Sequence, residues 1–296
     1  MKKISISFIK LMPAIILSVA CITANAQKQP AIQEISLRAP ANIKIDGKTT
    51  EWDDKFQAKN VTDRIVYTIS NDDNKLYLTV RAQGARGGAK IISGGLTFTI
   101  SHEVDKKKRE KGEGNVSFTF PIVTDRAKSA SITAKQYHYW DNLAGDLVKN
   151  KGAIDSLHMA IDAQIGEACK EIKITGIKDL DTISVYNTEG IKAVCAFNST
   201  FICVYEMAIP LKLLGLSTDN PVKFSYNIKL NAVRAPQSAA GVRSISVSGG
   251  VIDIRQSGTM NMDGPMMPIM MGPPNPDTEY LNNDTSFWAE YTLAAK

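Results

Sequence analysis

The sequence is poor in the residues that build most catalytic and metal centres. It has only three histidines and four cysteines in 296 residues. None of the histidines, His102, His138 and His158, lies in an HExxH motif, and no GxSxG motif is present. The cysteines also lack the spacing of metal ligands. We therefore expect a protein without a catalytic constellation.

Long apolar runs are confined to the start of the chain. Residues 1–3 read Met-Lys-Lys, residues 11–20 are largely apolar, and residues 24–26 read Ala-Asn-Ala. This order is typical of a secretory signal peptide, which predicts removal of residues 1–26. No later stretch has the roughly 20 uninterrupted apolar residues of a membrane span. We expect an exported protein, periplasmic, surface-bound or secreted, with no transmembrane segment.

A lipid-anchored form is the alternative, because Cys21 lies within the apolar leader. A lipobox would place a leucine three residues before this cysteine, where the sequence has Ser18. Cleavage after Ala26 is therefore the preferred prediction.

An excess of positive charge is also missing from the mature chain. Removing residues 1–26 takes away three lysines and no acid, which lowers the formal net charge from +5 to +2. Nucleic-acid binding thereby loses its support in the composition.

The mature chain keeps three cysteines, Cys169, Cys195 and Cys203. An odd number permits at most one internal bridge. In the segment CAFNSTFIC, Cys195 and Cys203 are placed symmetrically about Ser199, as they would be on the two strands of a hairpin. A disulfide between them and a pair of buried free thiols are both consistent with this pattern.

What the mature chain does have is alternation with a period of two. The segments KLYLTVRA, GLTFTIS, NVSFTFPIV and VKFSYNIKLNAV each place apolar side chains on one face and polar side chains on the other. Such strands form antiparallel sheets with one face on a core. We predict one all-β domain over residues 27–296, an antiparallel two-sheet β-sandwich. The side chains expected to be buried are Trp52, Leu78, Phe98, Phe118, Phe224 and Ile228.

A small insertion interrupts this rhythm at about residues 125–175. Ile154, Leu157, Ile161 and Ile165 recur at helical spacing, although MAIDAQI could also pair as a strand. The charged run DKKKREKGEG is interpreted as a solvated hairpin tip.

The loop over residues 257–277 is rich in Met, Pro and Gly and precedes the last strand. Its thioethers, among them Met260, Met262, Met266 and Met267, are soft ligands that suit Cu(I). Methionines among prolines also form adaptable contact surfaces, which is the preferred interpretation.

Several segments in order resemble carbohydrate-binding module family 9. They are IKIDGKTTEW, NDDNKLYLTVRA, GLTFTIS, FICVYEMAIPLKLLGL, VKFSYNIKLNAV and SFWAEYTL. The resemblance covers most of residues 40–296 except about 125–175. It implies a secreted sugar-binding sandwich whose partner is an oligo- or polysaccharide, an association with glycoside hydrolysis through the family, and a possible calcium ion.

The resemblance also assigns structural roles near the start of the domain. The segment NIKID is interpreted as a strand, Asp46 and Gly47 as its tight turn, and Trp52 as a packed ring. Glu206, on the opposite face from Tyr205, is expected to be an orienting carboxylate, because no second acid is spaced for glycoside hydrolysis. The alternative for the neighbouring acids Glu51, Asp53 and Asp54 is calcium binding.

Sugar-binding members carry a tryptophan and an acid just before their counterpart of GLTFTIS, where this chain reads KIISGG. Aromatic rings elsewhere in the chain are therefore the candidates for stacking on a sugar. In SFWAEYTL, the apolar set Phe287, Ala289, Tyr291 and Leu293 must face the core, so Trp288 faces outward. The candidate ligand-binding residues are Trp288, Asn227, Lys229, Asn231 and Arg234, with Tyr139 and Trp140 from QYHYWDN if that segment is a strand.

The sequence thus predicts an exported, non-catalytic carbohydrate-binding module. The alternative is an interaction protein of the periplasm or cell surface, whose Met-rich loop binds Cu(I). For Trp288 two roles remain open, a stacking floor for a sugar and a ring covered by another segment.

Overall fold

The computed structural model describes residues 29–103, 105–233, 244–248, 251–255 and 276–296. The predicted signal peptide and all but the last two residues of the Met-rich loop lie outside these ranges. Among the described helices, none has both the length and the apolar character needed to cross a membrane.

The described residues form two antiparallel sheets and a separate hairpin, as the alternation predicted. Strand bounds are β1 Ala58–Asn60, β2 Ile65–Asn71, β3 Lys75–Ala82, β4 Leu96–Ser101, β5 Asn115–Phe120, β6 Glu171–Thr175, β7 Thr182–Ser184, β8 Lys192–Phe197, β9 Cys203–Pro210, β10 Lys223–Leu230, β11 Ser244–Ser248, β12 Val251–Arg255 and β13 Thr285–Thr292. One sheet has the order β1-β2-β3-β9-β8, the other β13-β10-β4-β5-β6-β7, and β11 pairs with β12. The predicted two-sheet sandwich is confirmed.

The apolar faces of the two larger sheets form one core. All six side chains that the alternation predicted to be buried are at most 8 % exposed, including Trp52 at 8 % and Phe98 at 0 %. Tyr67 of β2 and Tyr226 of β10 join the sheets, because their buried hydroxyl groups lie 3.0 Å apart. Each hydroxyl therefore has a polar partner inside an otherwise apolar layer.

Helices make up the rest of the described structure. Their bounds are α1 Gly84–Gly94, α2 Lys106–Glu110, α3 Arg126–His138, α4 Lys151–Ala168 and α5 Pro276–Asn282, with a π-helical turn at Tyr139–Leu143 and 3-10 turns at Thr50–Trp52 and Leu211–Leu214. Helices α1, α3 and α4 pack together against β3, β8 and β9. We call these three helices and the π-helical turn the helical layer.

The predicted insertion at about 125–175 is thus helical as far as Ala168, MAIDAQI lies within α4, and the last residues of the range form β6. The alternative strand interpretation of QYHYWDN was wrong, because this segment is the end of α3 and the π-helical turn. KIISGG forms the end of α1 and its C-cap Gly95. Helix–helix packing outweighs weak local helix propensity in these segments.

The beginning of the domain also differs from the prediction. Residues 42–46 form no strand, and the segment that contains them lies on the outer face of the β1-β2-β3-β9-β8 sheet. Gly47 has a φ of +78°, and a Cβ there would lie 2.4 Å from the Ala196 Cβ. Glycine is therefore required both for the turn and for its close contact with the sheet.

Candidate functional site

The outer face of the six-stranded sheet carries three of the seven predicted binding residues, and the Asn231 side chain lies at its edge. Trp288 of β13 pairs with Asn227 of β10, and Asn227 pairs with Thr99 of β4. Thr99 in turn pairs with Ser117 of β5. We call this surface the polar face; it consists of Thr97, Thr99, Ser101, Ser117, Thr119, Ser225, Asn227, Lys229, Ser286, Trp288 and Glu290.

Hydroxyl groups on the polar face are held in cross-strand pairs. The hydroxyls of Thr97 and Thr119 lie 2.8 Å apart, and those of Thr99 and Ser117 lie 2.9 Å apart. The Asn231 side chain donates to the Gly95 carbonyl and to the Thr97 hydroxyl, each at 3.1 Å. The face therefore presents donors and acceptors whose positions are fixed by sheet register.

Trp288 is the aromatic residue of the polar face, and it is half-buried. The Arg109 guanidinium lies over its ring, 4.9 Å from the ring centroid. Arg109 Nη1 also donates to the Ser225 hydroxyl at 2.6 Å, while the Asn227 amide donates to the Phe287 carbonyl at 2.8 Å. A cation–π contact of this kind contributes about 0.5 to 2 kcal/mol, which favours one orientation of the ring. Part of the Trp288 side chain remains exposed to solvent.

No pattern in the sequence indicates the role of Arg109. It belongs to DKKKREKGEG, which was interpreted as a solvated hairpin tip but contains α2. Most side chains of this run are exposed, as predicted, yet Arg109 folds back onto the sheet. Asp105 caps α2 by accepting from the N–H groups of Lys107 and Lys108, and this cap fixes where the helix begins.

Ion pairs border the polar face on its β13 side. Lys229 Nζ lies 3.6 Å from an Asp284 carboxylate oxygen, and Lys223 Nζ lies 3.1 Å from Glu290. All four side chains are at least one-third exposed, so these pairs add little stability. Their polar groups remain accessible to a ligand.

Tyr139 and Trp140 lie on the helical layer and not on the polar face. Tyr139 is 3 % exposed and stacks on Phe201 with ring centroids 4.2 Å apart. Trp140 is 39 % exposed and meets Tyr139 edge to face at 5.3 Å. Tyr139 therefore seals the helical layer against the β8–β9 hairpin. Part of the Trp140 side chain is exposed to solvent, away from the polar face.

Some of the predicted residues lie outside the described ranges. Arg234 is one of them, and Met260, Met262, Met266 and Met267 are the others. Cu(I) binding by the Met-rich loop therefore stays a prediction.

The turn at Asp46 and Gly47 is fastened to the sheet by Glu206. Glu206 is fully buried on β9, and its Oε2 accepts from the N–H groups of Asp46 at 3.0 Å and Gly47 at 2.8 Å. Burial raises the pKa of Glu206 to about 7, against the effect of these two donors. The geometry is that of an orienting carboxylate beneath a turn. We call this contact the Glu206 latch.

The acidic cluster beside Trp52 makes ion pairs with basic side chains. Asp54 binds Arg81 at 3.0 Å and accepts from the Thr49 hydroxyl, while Asp53 lies 3.7 Å from the Lys55 ammonium group. No group of three or more His, Cys, Asp or Glu side chains is arranged to hold a metal ion within the described residues. Calcium binding at this cluster stays a prediction.

The three mature cysteines are buried thiols in this structure. Cys195 Sγ and Cys203 Sγ lie 3.2 Å apart across the β8–β9 hairpin. Their hydrogen bond and the burial of the site raise the pKa of Cys195. The geometry places the sulfur atoms next to each other, and the predicted disulfide remains to be tested.

Comparison of the chain with known proteins gives no further identification. No family model, no curated protein and no solved structure matches it.

Proposed function

We propose that this protein is an exported, non-catalytic glycan-binding module, similar to carbohydrate-binding module family 9, that holds an oligo- or polysaccharide on the polar face. The observation that carries the proposal is an orientated, half-buried Trp288 on a sheet face that is otherwise hydroxyl, amide and charged. Sugars have C–H faces that pack on aromatic rings and hydroxyls that need polar partners.

The dimensions of the polar face favour a chain over a single sugar. From Trp288 to Ser117 the row crosses three gaps between neighbouring strands. With roughly 4.8 Å per gap, the row is about 14 Å long. Asn227 and Thr99 in the middle of this row are each only 7 % exposed, so an oligosaccharide would contact the row mainly at Trp288 and Ser117, its half-buried ends, and affinity should rise with chain length.

Arg109 supports the same surface. Its guanidinium lies over the Trp288 ring and donates to Ser225, so it supplies further donors at the ring while a sugar would pack on the part of the ring that Arg109 leaves open. Because Arg109 and Ser225 hold each other, little side-chain freedom is lost when a ligand arrives.

The proposal is tested with the mature protein, residues 27–296, on a glycan array, followed by calorimetry with hexasaccharides of β-1,4-linked glucose, xylose and mannose. Trp288→Ala should weaken binding by roughly 1 to 3 kcal/mol, the scale of an aromatic binding contact. Trp140→Ala is the matched control and should bind as the parent does.

Two results would contradict the proposal. One is a folded Trp288→Ala protein with unaltered affinity for every glycan that the parent binds. The other is a destabilisation of about 3 to 5 kcal/mol, the cost of removing a buried tryptophan, which would assign the ring to the fold.

A further inference from the structure

A concave surface lies on the β1-β2-β3-β9-β8 sheet, beside the turn between β8 and β9. It has a volume of about 440 Å³, within the roughly 300–1,000 Å³ range of small-molecule sites. We call it the hairpin pocket. It is lined by Asp54, Val66, Arg81, Ala82, Gln83, Gly84, Asn198, Ser199, Thr200 and Ile202.

One wall of the hairpin pocket is a rigid turn. Asn198 Oδ1 accepts from the N–H groups of Thr200 and Ile202, both at 3.0 Å, and from the Thr200 hydroxyl at 2.9 Å. Phe201 has a φ of +54°, which is rare for a bulky residue, and its fully buried ring stacks on Tyr139. The turn is thus anchored in the helical layer.

The opposite wall is held by an ion pair. Asp54 Oδ1 accepts from Arg81 Nη1 at 3.0 Å and from the Thr49 hydroxyl. The Arg81 guanidinium also lies 4.9 Å from the centroid of the Phe56 ring. Asp53 and Asp54 both have positive φ values, a strained pair that the surrounding contacts maintain. Both charged groups are therefore in place before any ligand binds.

The charges of the lining residues cancel. Among the lining residues Asp54 is the acidic side chain and Arg81 is the basic one, so the formal charge of the lining is zero. An anion would be repelled by Asp54 as it is attracted by Arg81, and the reverse holds for a cation, so the lining has no net preference for either sign of charge. Of the remaining polar side chains, Gln83 and Ser199 can both donate and accept. The Asn198 amide nitrogen can donate, and the Thr200 hydroxyl, whose proton is used by Asn198 Oδ1, can accept.

Such a lining suits a neutral ligand with many hydroxyl groups. A hydroxyl can donate to the Asp54 carboxylate while its neighbour accepts from the Arg81 guanidinium, and charge-assisted bonds of this type are the strong ones. None of the lining residues is aromatic. Recognition would rest on hydrogen bonds rather than on stacking, and the volume fits one sugar ring better than a chain.

We infer that the hairpin pocket binds a single neutral pyranoside through Asp54 and Arg81. The site is separate from the polar face, so it does not depend on the role proposed for Trp288.

The inference is tested on the mature protein with methyl α-glucoside, methyl α-mannoside and methyl α-galactoside up to about 50 mM, in the range of weak ligands. Binding is followed by ¹H–¹⁵N chemical shifts, which should move at Gln83, Ser199 and Thr200. Asp54→Asn should weaken the best glycoside by roughly tenfold, as expected for loss of a charged hydrogen-bond partner. Asp53→Asn, at the neighbouring exposed acid, should bind within about twofold of the parent.

Ser199→Trp is the second variant, because it fills the pocket from an exposed turn position and leaves the Asp54–Arg81 pair intact. It should also abolish binding. The inference is overturned if none of the three glycosides binds, if Asp54→Asn and Ser199→Trp bind as the parent does, or if Trp288→Ala is the variant that removes glycoside binding. Glycoside binding without any oligosaccharide binding would instead contradict the proposed function and leave the hairpin pocket standing.

Discussion

The Glu206 latch predicts how the stability of this protein depends on pH. Burial raises the pKa of Glu206 from 4.5 to about 7. Between these values the folded protein holds a proton that the unfolded chain has released. The contribution of Glu206 to the free energy of unfolding should therefore be largest below about pH 4.5 and be lost as the pH rises through about 7.

The magnitude follows from the size of the pKa difference. Each pKa unit corresponds to about 1.4 kcal/mol, so the full loss is about 3 kcal/mol. Glu206 is fully buried, and screening by solvent reduces this figure little.

Glu206→Gln is the perturbation that isolates this effect. A glutamine can still accept from the N–H groups of Asp46 and Gly47 through its amide oxygen, but it carries no charge at any pH. Relative to the parent, the variant should gain about 3 kcal/mol of stability between about pH 4.5 and about pH 8. Glu113→Gln, at an exposed turn, should show no such change.

Urea unfolding at several pH values measures these differences. If the stability gap between the parent and Glu206→Gln is the same at about pH 4.5 and about pH 8, the reasoning about the latch is refuted. If Glu113→Gln also gains about 3 kcal/mol of stability relative to the parent between these pH values, the pH dependence does not arise from Glu206.

Two further predictions concern the helical layer and the β8–β9 hairpin. Gly88→Ala should destabilise the protein by about 1 to 3 kcal/mol, because its Cβ would lie 2.6 Å from Gln136 Nε2 and 3.1 Å from the Cys203 Cβ. Gly152→Ala, a helical site with nothing within 4 Å, should instead be stabilising, and equal effects on urea unfolding would refute the packing argument. If Cys195 and Cys203, whose sulfurs lie 3.2 Å apart, are oxidised to a bridge, mass spectrometry of the non-reduced secreted protein should find their peptides linked; labelling of all three mature cysteines as free thiols would reject the bridge.

The strands could be predicted because their signal is local. A period of two along β10 and β13 is enough to decide which side chains face the core, and it placed Trp288 opposite the apolar set. The same argument placed Glu206 on the opposite face from Tyr205. Neither result depends on knowing what packs above the sheet.

The helices at the edge of the core could not be predicted in the same way. Helix α1 contains four glycines in eleven residues, which local propensity disfavours. Two of them, Gly87 and Gly88, allow close approach to Ala82 and Gln136. Its stability therefore comes from tertiary contacts, which the sequence pattern does not reveal.

Within the candidate site, the unpredicted residue is Arg109. Its contact with Trp288 depends on α2 folding back over the sheet, a long-range arrangement without a signal in a charged run. Tyr139 was a candidate binding residue on the assumption that QYHYWDN, an aromatic run typical of a strand, forms a strand. The segment is helical, so the assumption was wrong.

The central claim is that Trp288 contacts the glycan, and the indole N–H signals of the protein test it directly. The chain has three tryptophans, and Trp52 is buried while Trp140 lies on the helical layer. In ¹H–¹⁵N spectra of the mature protein titrated with the tightest hexasaccharide, the signal that disappears in Trp288→Ala should shift, and the other two should stay. A Trp288 signal that does not move at saturation, or a shift of the Trp140 signal alone, would contradict the proposed binding surface.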